Sequence, residues 1–285
     1  MTGRMVRCLG GVLLTALTVA GCSSGTGPAP GDGGSTPTAS SRSVRAAGLV
    51  VTGTATDGRL QTVARDAEQA IRQVRAMWGS QVLRDTVRIE VPADEAGFRS
   101  RGGGGGTGRE SGQIAATTTT DGRVVLSPRL FDAVTAQGIE VVLTHELTHV
   151  ALGQATLTGV PRWVLEGSAE VTAFGPTGLG LTEAAPTLAA QVRAGNVPAG
   201  PPADAAFEAG PEAAYQGAYA WCRFLFDRYG GATFTRFVRA ADAGQRDAFQ
   251  QAFGVQAASL GAAYRQFLRD AIDGAGPTGS TSSGR

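Results

Sequence analysis

Leu60, Val63, Ala67, Ala70, Ile71, Val74, Met77 and Trp78 recur at helical spacing, which predicts an amphipathic helix over residues 58–79. Val87, Ile89 and Val91 then alternate with polar residues and stop at Pro92, the pattern of a half-buried strand. A short helix is expected over 94–99, with Asp94 as its N-cap. Residues 113–120 and 123–126, joined by Asp121-Gly122, predict a β-hairpin. Helical spacing returns at 138–152, where Ile139, Val142, Leu143, Leu147 and Val150 form an apolar side and Gly153 supplies the stop. A second helix is expected from Pro161 to near Gly175-Pro176. After a stretch rich in Pro and Gly at 196–211, helices are predicted over 212–229, 233–240, 246–253 and 257–272. Strands first and helices afterwards predict an α+β fold.

The two ends lack this patterning. Residues 1–21 carry Arg4 and Arg7, then an apolar run from Val12 to Ala20. That run is too short to span a bilayer and reads as a signal peptide. It closes on Val19-Ala20-Gly21-Cys22, which resembles a bacterial lipobox; the resemblance implies cleavage before Cys22 and lipidation of that cysteine. Residues 22–45 are mostly Gly, Ser, Thr, Pro and Ala, too poor in large apolar groups to order themselves, and are expected to form a disordered tether. Residues 274–285 read as a similar tail. One domain is therefore expected over 46–273, with the strands and first helices in 46–175 and a helical lobe in 176–273. Gly102 to Gly106 are consecutive glycines and are expected to form a mobile loop. The Lys-Ser/Thr pair that a phosphate cradle needs does not follow them.

With 25 basic and 24 acidic residues the net charge is +1, which gives no case for nucleic-acid binding. A 42% hydrophobic content is ample for a sizeable core. Once the signal peptide is removed and Cys22 is acylated, Cys222 is the cysteine left in the domain, so no intrachain disulfide is expected.

The chain's two histidines stand in one stretch, His145-Glu146-Leu147-Thr148-His149. On a helix, positions four apart share a face, so both imidazoles can grip one Zn²⁺ while Glu146 reaches a water as general base. A catalytic zinc needs a third protein ligand. No further His exists, and Ala155 occupies the place a third His would take. Cys222 sits among Trp221, Phe224 and Leu225 and reads as a core thiol. Glu166 and Glu170 remain, one turn apart on the next helix. Gly167, Ser168 and Ala169 between them are small enough to let that helix approach the histidine helix. Glu166 is assigned as the third ligand. Glu170 is expected to accept a hydrogen bond from a ligand imidazole and so hold its tautomer. A donor to the developing oxyanion is expected from Tyr215 or Tyr219, which can equally be packing residues.

His-Glu-x-x-His at 145–149, followed by Trp163-Val164-Leu165-Glu166-Gly167-Ser168-Ala169-Glu170, resembles the gluzincin zinc metallopeptidases, in particular the bacterial peptidase-MA-like group. Ala214-Tyr215-Gln216-Gly217-Ala218-Tyr219, leading to Phe226-Asp227-Arg228-Tyr229-Gly230, is similar to that group's C-terminal helical half. The resemblance covers roughly residues 120–273. It implies a thermolysin-like core: a small mixed sheet, two zinc helices and a helical lobe across a cleft. It also implies hydrolysis of a peptide or protein substrate, and it favours Tyr215 as the oxyanion donor. No Gly-x-Met-Glu-Asn-like exopeptidase motif precedes the histidine helix, so an endopeptidase is expected, held on the outer face of the cell membrane by the N-terminal lipid. The hairpin at 113–126 could offer an edge to an extended peptide. The alternative is a lipoprotein that keeps the zinc site and serves as a binding or scaffold module without turnover.

Overall fold

The structure is a computed structural model that describes residues 40–103 and 115–274. The signal peptide, Cys22, Gly104 to Gly106 and the tail from 275 lie outside the described residues, as does the first part of the expected hairpin.

The chain folds as α+β. Strands β1 (Arg42–Ala46) and β2 (Leu49–Gly53) form an antiparallel pair. Helix α1 (Asp57–Trp78) follows, with the Thr56 hydroxyl accepting from the Arg59 N–H at its start. Strand β3 (Val87–Val91) returns parallel to β2, with Val51 opposite Ile89. Short helix α2 (Glu95–Ser100) is capped by Asp94, as predicted. Strands β4 (Ala116–Thr118) and β5 (Arg123–Leu126) are antiparallel to each other, and β5 runs parallel to β3. The five-stranded mixed sheet has the order β1-β2-β3-β5-β4, so β4 is an edge.

The expected tether, 22–45, is corrected at its end, since β1 already begins at Arg42. Arg42, Ser43 and Arg45 are exposed. The strand is held by backbone pairing to β2, to which composition is blind.

Helices α3 (Leu130–Ala133) and α4 (Ala136–Leu152) come next. The start of α4 lies ahead of the expected Gly138, because the Thr135 side chain caps it by accepting from the Gly138 N–H. Gly153 ends it in the left-handed region, φ 66°, where glycine is favoured. Helix α5 (Arg162–Phe174) follows, with Pro161 just before its first turn. The lobe then comprises α6 (Leu181–Ala184), α7 (Pro186–Arg193), α8 (Ala206–Ala209), α9 (Pro211–Tyr229), α10 (Gly231–Asp242), α11 (Ala248–Phe253) and α12 (Gly261–Asp273). Of the six described α-helices of eight residues or fewer, those at 130–133, 181–184, 186–193 and 206–209 lie outside the expected elements, since one or two turns give periodicity little to work on. No helix among the described residues is long and apolar enough to cross a membrane.

Polar links and ring contacts fix the helices around the centre of the molecule. Leu60, Val63, Ala67, Ala70 and Val74 are buried along α1. The Trp78 indole N–H donates to Thr172 of α5 at 3.0 Å. Arg239 of α10 donates to the Trp78 carbonyl at 2.6 Å. Thr144 of α4 donates to Gln73 of α1 at 2.7 Å, and Gln73 in turn donates to Glu140. Trp163, at the start of α5, stacks on Phe237 with ring centroids 5.8 Å apart and meets Trp221 edge-on at 6.5 Å. Helix α5 is thus clamped between α1 and α4 on one side and the lobe on the other.

Candidate metal centre

Helix α4 is buried almost all the way round, so His145, Glu146, Thr148 and His149 have no solvent exposure. Glu166 and Glu170 on α5 are buried as well. A buried ionisable group costs several kcal/mol unless it is paired or holds a metal, so this many in one place calls for a shared partner.

The imidazoles and Glu166 meet. His145 Nε2 lies 3.1 Å from His149 Nε2. Glu166 Oε2 lies 3.4 Å from His145 Nε2 and 3.5 Å from His149 Nε2. Glu166 Oε2 is buried and has no hydrogen-bond partner. Three donor atoms therefore face one point, and these side chains could hold a metal ion. Among the described residues no other cluster of His, Cys, Asp and Glu does so. Glu170 stands on the far side of His145, with Oε1 3.5 Å from Nδ1. That contact falls short of the expected hydrogen bond, since His145 Nδ1 has no hydrogen-bond partner.

Glu146 lies beside the triangle. Its Oε2 accepts the Thr118 hydroxyl at 2.6 Å, which places edge strand β4 against α4. Its Oε1 is buried without a partner. One oxygen is held and the other is free, the arrangement a proton acceptor needs.

The charges are mutually tuned. Burial opposes a proton on His145, but contacts with Glu166 and Glu170, and the charge of Glu146, outweigh it and raise its pKa to about 10. Burial likewise opposes ionisation of Glu166, and the two imidazoles outweigh that and bring it to about 2. Burial raises Glu146 against the pull of both histidines and the Thr118 hydrogen bond. The surrounding carboxylates thus favour positive charge on His145.

The two tyrosines separate. Tyr215 is buried with its ring 6.4 Å from that of His145, and its hydroxyl has no partner. Burial, and after it the charge of Glu166, holds that hydroxyl well above the usual tyrosine range, so it stays a donor. Tyr219 packs on Phe174 at 5.2 Å and turns its hydroxyl to Arg223. Tyr215 is the one beside a histidine.

A second expectation about the site changes. The smallness of Gly167 serves α9 rather than the histidine helix: a Cβ there would stand 2.5 Å from Cys222 Sγ and 2.7 Å from the Ala218 carbonyl oxygen. Cys222 is a buried thiol with Sγ 3.6 Å from the Trp163 carbonyl, remote from the role of ligand.

Sequence reasoning missed Thr118 and Gln154. Gln154 Oε1 lies 2.8 Å from His149 Nδ1. The available signal was weak: a Gln directly after the helix-ending Gly153, one turn past a candidate ligand.

No model of a protein family matches the chain, and no curated protein matches it.

Proposed function

We propose that the chain is a zinc-dependent peptidase of the gluzincin kind, anchored to the outer face of a membrane through a lipid on Cys22. The observation that carries this reading is the buried triangle of His145 Nε2, His149 Nε2 and Glu166 Oε2, with a half-held Glu146 carboxylate beside it. Ligand atoms about 2.0–2.2 Å from a tetrahedral zinc stand about 3.3–3.6 Å from one another. The two separations to Glu166, 3.4 and 3.5 Å, fall in that range, and the imidazole pair at 3.1 Å stands just below it, slightly closer than a bound ion would hold it. Two imidazoles and one carboxylate also make a donor set suited to zinc that leaves one position open.

When bound, zinc would supply Lewis acidity, which lets water act as a nucleophile near neutral pH. The chain's own groups do the rest. Glu146 takes the proton of the attacking water at Oε1, the oxygen no protein group occupies, and delivers it to the leaving amine. Thr118 holds Oε2 so that Oε1 keeps its direction. The unpartnered Tyr215 hydroxyl donates to the oxyanion as the carbonyl becomes tetrahedral. Burial strengthens each of these contacts relative to water.

Zinc analysis of the purified protein, combined with digestion of a peptide library, tests the reading. Wild type and Glu146→Gln should both carry one equivalent of zinc, and cleavage should vanish in the variant. Cleavage that survives Glu146→Gln defeats the mechanism. Zinc without cleavage of any peptide favours a binding or scaffold module in place of a peptidase.

A further inference from the structure

Gln154 is fully buried in the tight 3₁₀ turn Gln154–Thr156 that follows α4. Its amide meets three partners. Oε1 faces His149 Nδ1 at 2.8 Å. Nε2 donates to Asp242 Oδ2 at 3.0 Å and to Ser168 Oγ at 3.4 Å. Asp242 is the last residue of α10, in the helical lobe.

The chemistry of these partners leaves the amide one orientation. Burial raises the Asp242 carboxyl to about 6, so above that pH it is ionised and only accepts, and it must face the NH₂ end. Ser168 spends its hydrogen on the Leu165 carbonyl at 2.9 Å, so its oxygen can accept from Gln154. Both amide N–H groups are thereby engaged, and the amide oxygen is left to His149. An oxygen there requires a hydrogen on Nδ1. The lone pair of His149 is then confined to Nε2, the nitrogen that faces His145 and Glu166.

We propose that Gln154, oriented by Asp242, is the positioning residue that fixes the tautomer of His149 and so sets the affinity of the centre for its metal. Gln154 touches no reacting atom; it acts through His149. The pair also joins the lobe to the centre, because Asp242 reaches Gln154 from the end of α10. The inference rests on the reading of the triangle as a metal site.

Zinc affinity of the full chain, measured by competition with a chromophoric chelator, tests both levels separately. Gln154→Met keeps the length and removes the amide, and should weaken zinc about 10- to 100-fold, the usual loss for an outer partner of a ligand. Gln154→Glu sets two carboxylates face to face and should weaken zinc as well. Gln154→Glu combined with Asp242→Asn restores a donor opposite an acceptor and should recover wild-type affinity, which a general loss of packing would not do. Nitrogen-15 NMR of metal-free wild type under alkaline conditions should find the His149 hydrogen on Nδ1. Wild-type affinity in Gln154→Met, failure of the double variant to recover, or a hydrogen on Nε2 overturns the proposal. A wild type that binds no zinc overturns the metal reading beneath it.

Discussion

Thr118 Oγ1 stands 2.6 Å from Glu146 Oε2, so an edge strand holds the carboxylate of a helix that lies against it. The same hydroxyl is 3.2 Å from the Glu146 carbonyl oxygen, and Thr118 is buried. A hydrogen bond to a charged group is worth about 1.5–3 kcal/mol. Thr118→Val keeps the shape and removes the donor. Its kcat on a cleavable peptide should fall roughly 10- to 100-fold, the rate equivalent of that energy. Thr118→Ser should retain most of the rate. Zinc content should be unchanged in both, because Thr118 touches no ligand atom of the triangle. A Thr118→Val enzyme as fast as wild type would show that Glu146 needs no help from the sheet.

Gly167 sets the distance between α5 and α9. Adding a Cβ brings it to 2.5 Å from Cys222 Sγ and 2.7 Å from the Ala218 carbonyl oxygen, and the second of these atoms is backbone that cannot swing aside. Gly167→Ala should therefore destabilise the fold by about 1–3 kcal/mol, the usual range for overpacking. The midpoint of urea unfolding reads this directly. Cys222→Ala in the same chain should recover only part of the loss, since the carbonyl contact persists. Full recovery would place all the strain at the sulfur.

What the sequence disclosed about this centre follows the range of the interactions involved. His145 with His149, and Glu166 with Glu170, are each one helical turn apart, and helix periodicity is local, so spacing alone brings each pair to one face. Asp94 and Gly153 were legible for the same reason, since caps act within one turn. Thr118 meets Glu146, and Asp242 meets Gln154, only through the packing of separate elements. Nothing around Thr118 sets it apart from the threonines at 117, 119 and 120. Gly167 was recognised as a close-approach residue, but a helix between two neighbours does not declare which one its glycine faces. Strand β1 was hidden because it packs only Val44 and Ala46 on the core and is otherwise held by backbone pairing.

The charge balance of the metal-free centre predicts its dependence on pH. Glu166 is held at about 2 against an ordinary 4.5, so its contribution to stability is present above 4.5 and is lost as pH falls through about 2. His145 is raised to about 10 from an ordinary 6.5, so its contribution is complete below 6.5 and is lost as pH rises through about 10. Both contributions are at full strength together only between 4.5 and 6.5. Chelator-treated protein should therefore lose melting temperature as pH is raised above that window. Zinc-loaded protein should lose less, because the metal takes the place of the proton and needs His145 neutral. Thermal melts across a pH series, with and without chelator, check this. Parallel curves for the two forms would mean that the proton and the metal do not share the site.

Tyr215 and Tyr219 lie one turn apart on α9, yet their surroundings assign them different work. Tyr215 is beside His145 with a buried, unpartnered hydroxyl, and a hydroxyl left in that state costs about 1–3 kcal/mol unless something else uses it. Tyr219 is packed on Phe174 with its hydroxyl toward Arg223. Tyr215→Phe deletes the idle hydroxyl and should leave the fold as stable as wild type or more so. The same change should lower kcat roughly 100-fold, as for loss of an oxyanion donor, with KM and zinc content little altered. Tyr219→Phe should do the reverse, leaving kcat near wild type and costing a little stability, with Arg223 still paired to Asp227 at 2.8 Å. Peptide kinetics and denaturant melts on the two variants separate the roles. A Tyr215→Phe enzyme with undiminished kcat would return that tyrosine to the core and leave the oxyanion to another donor.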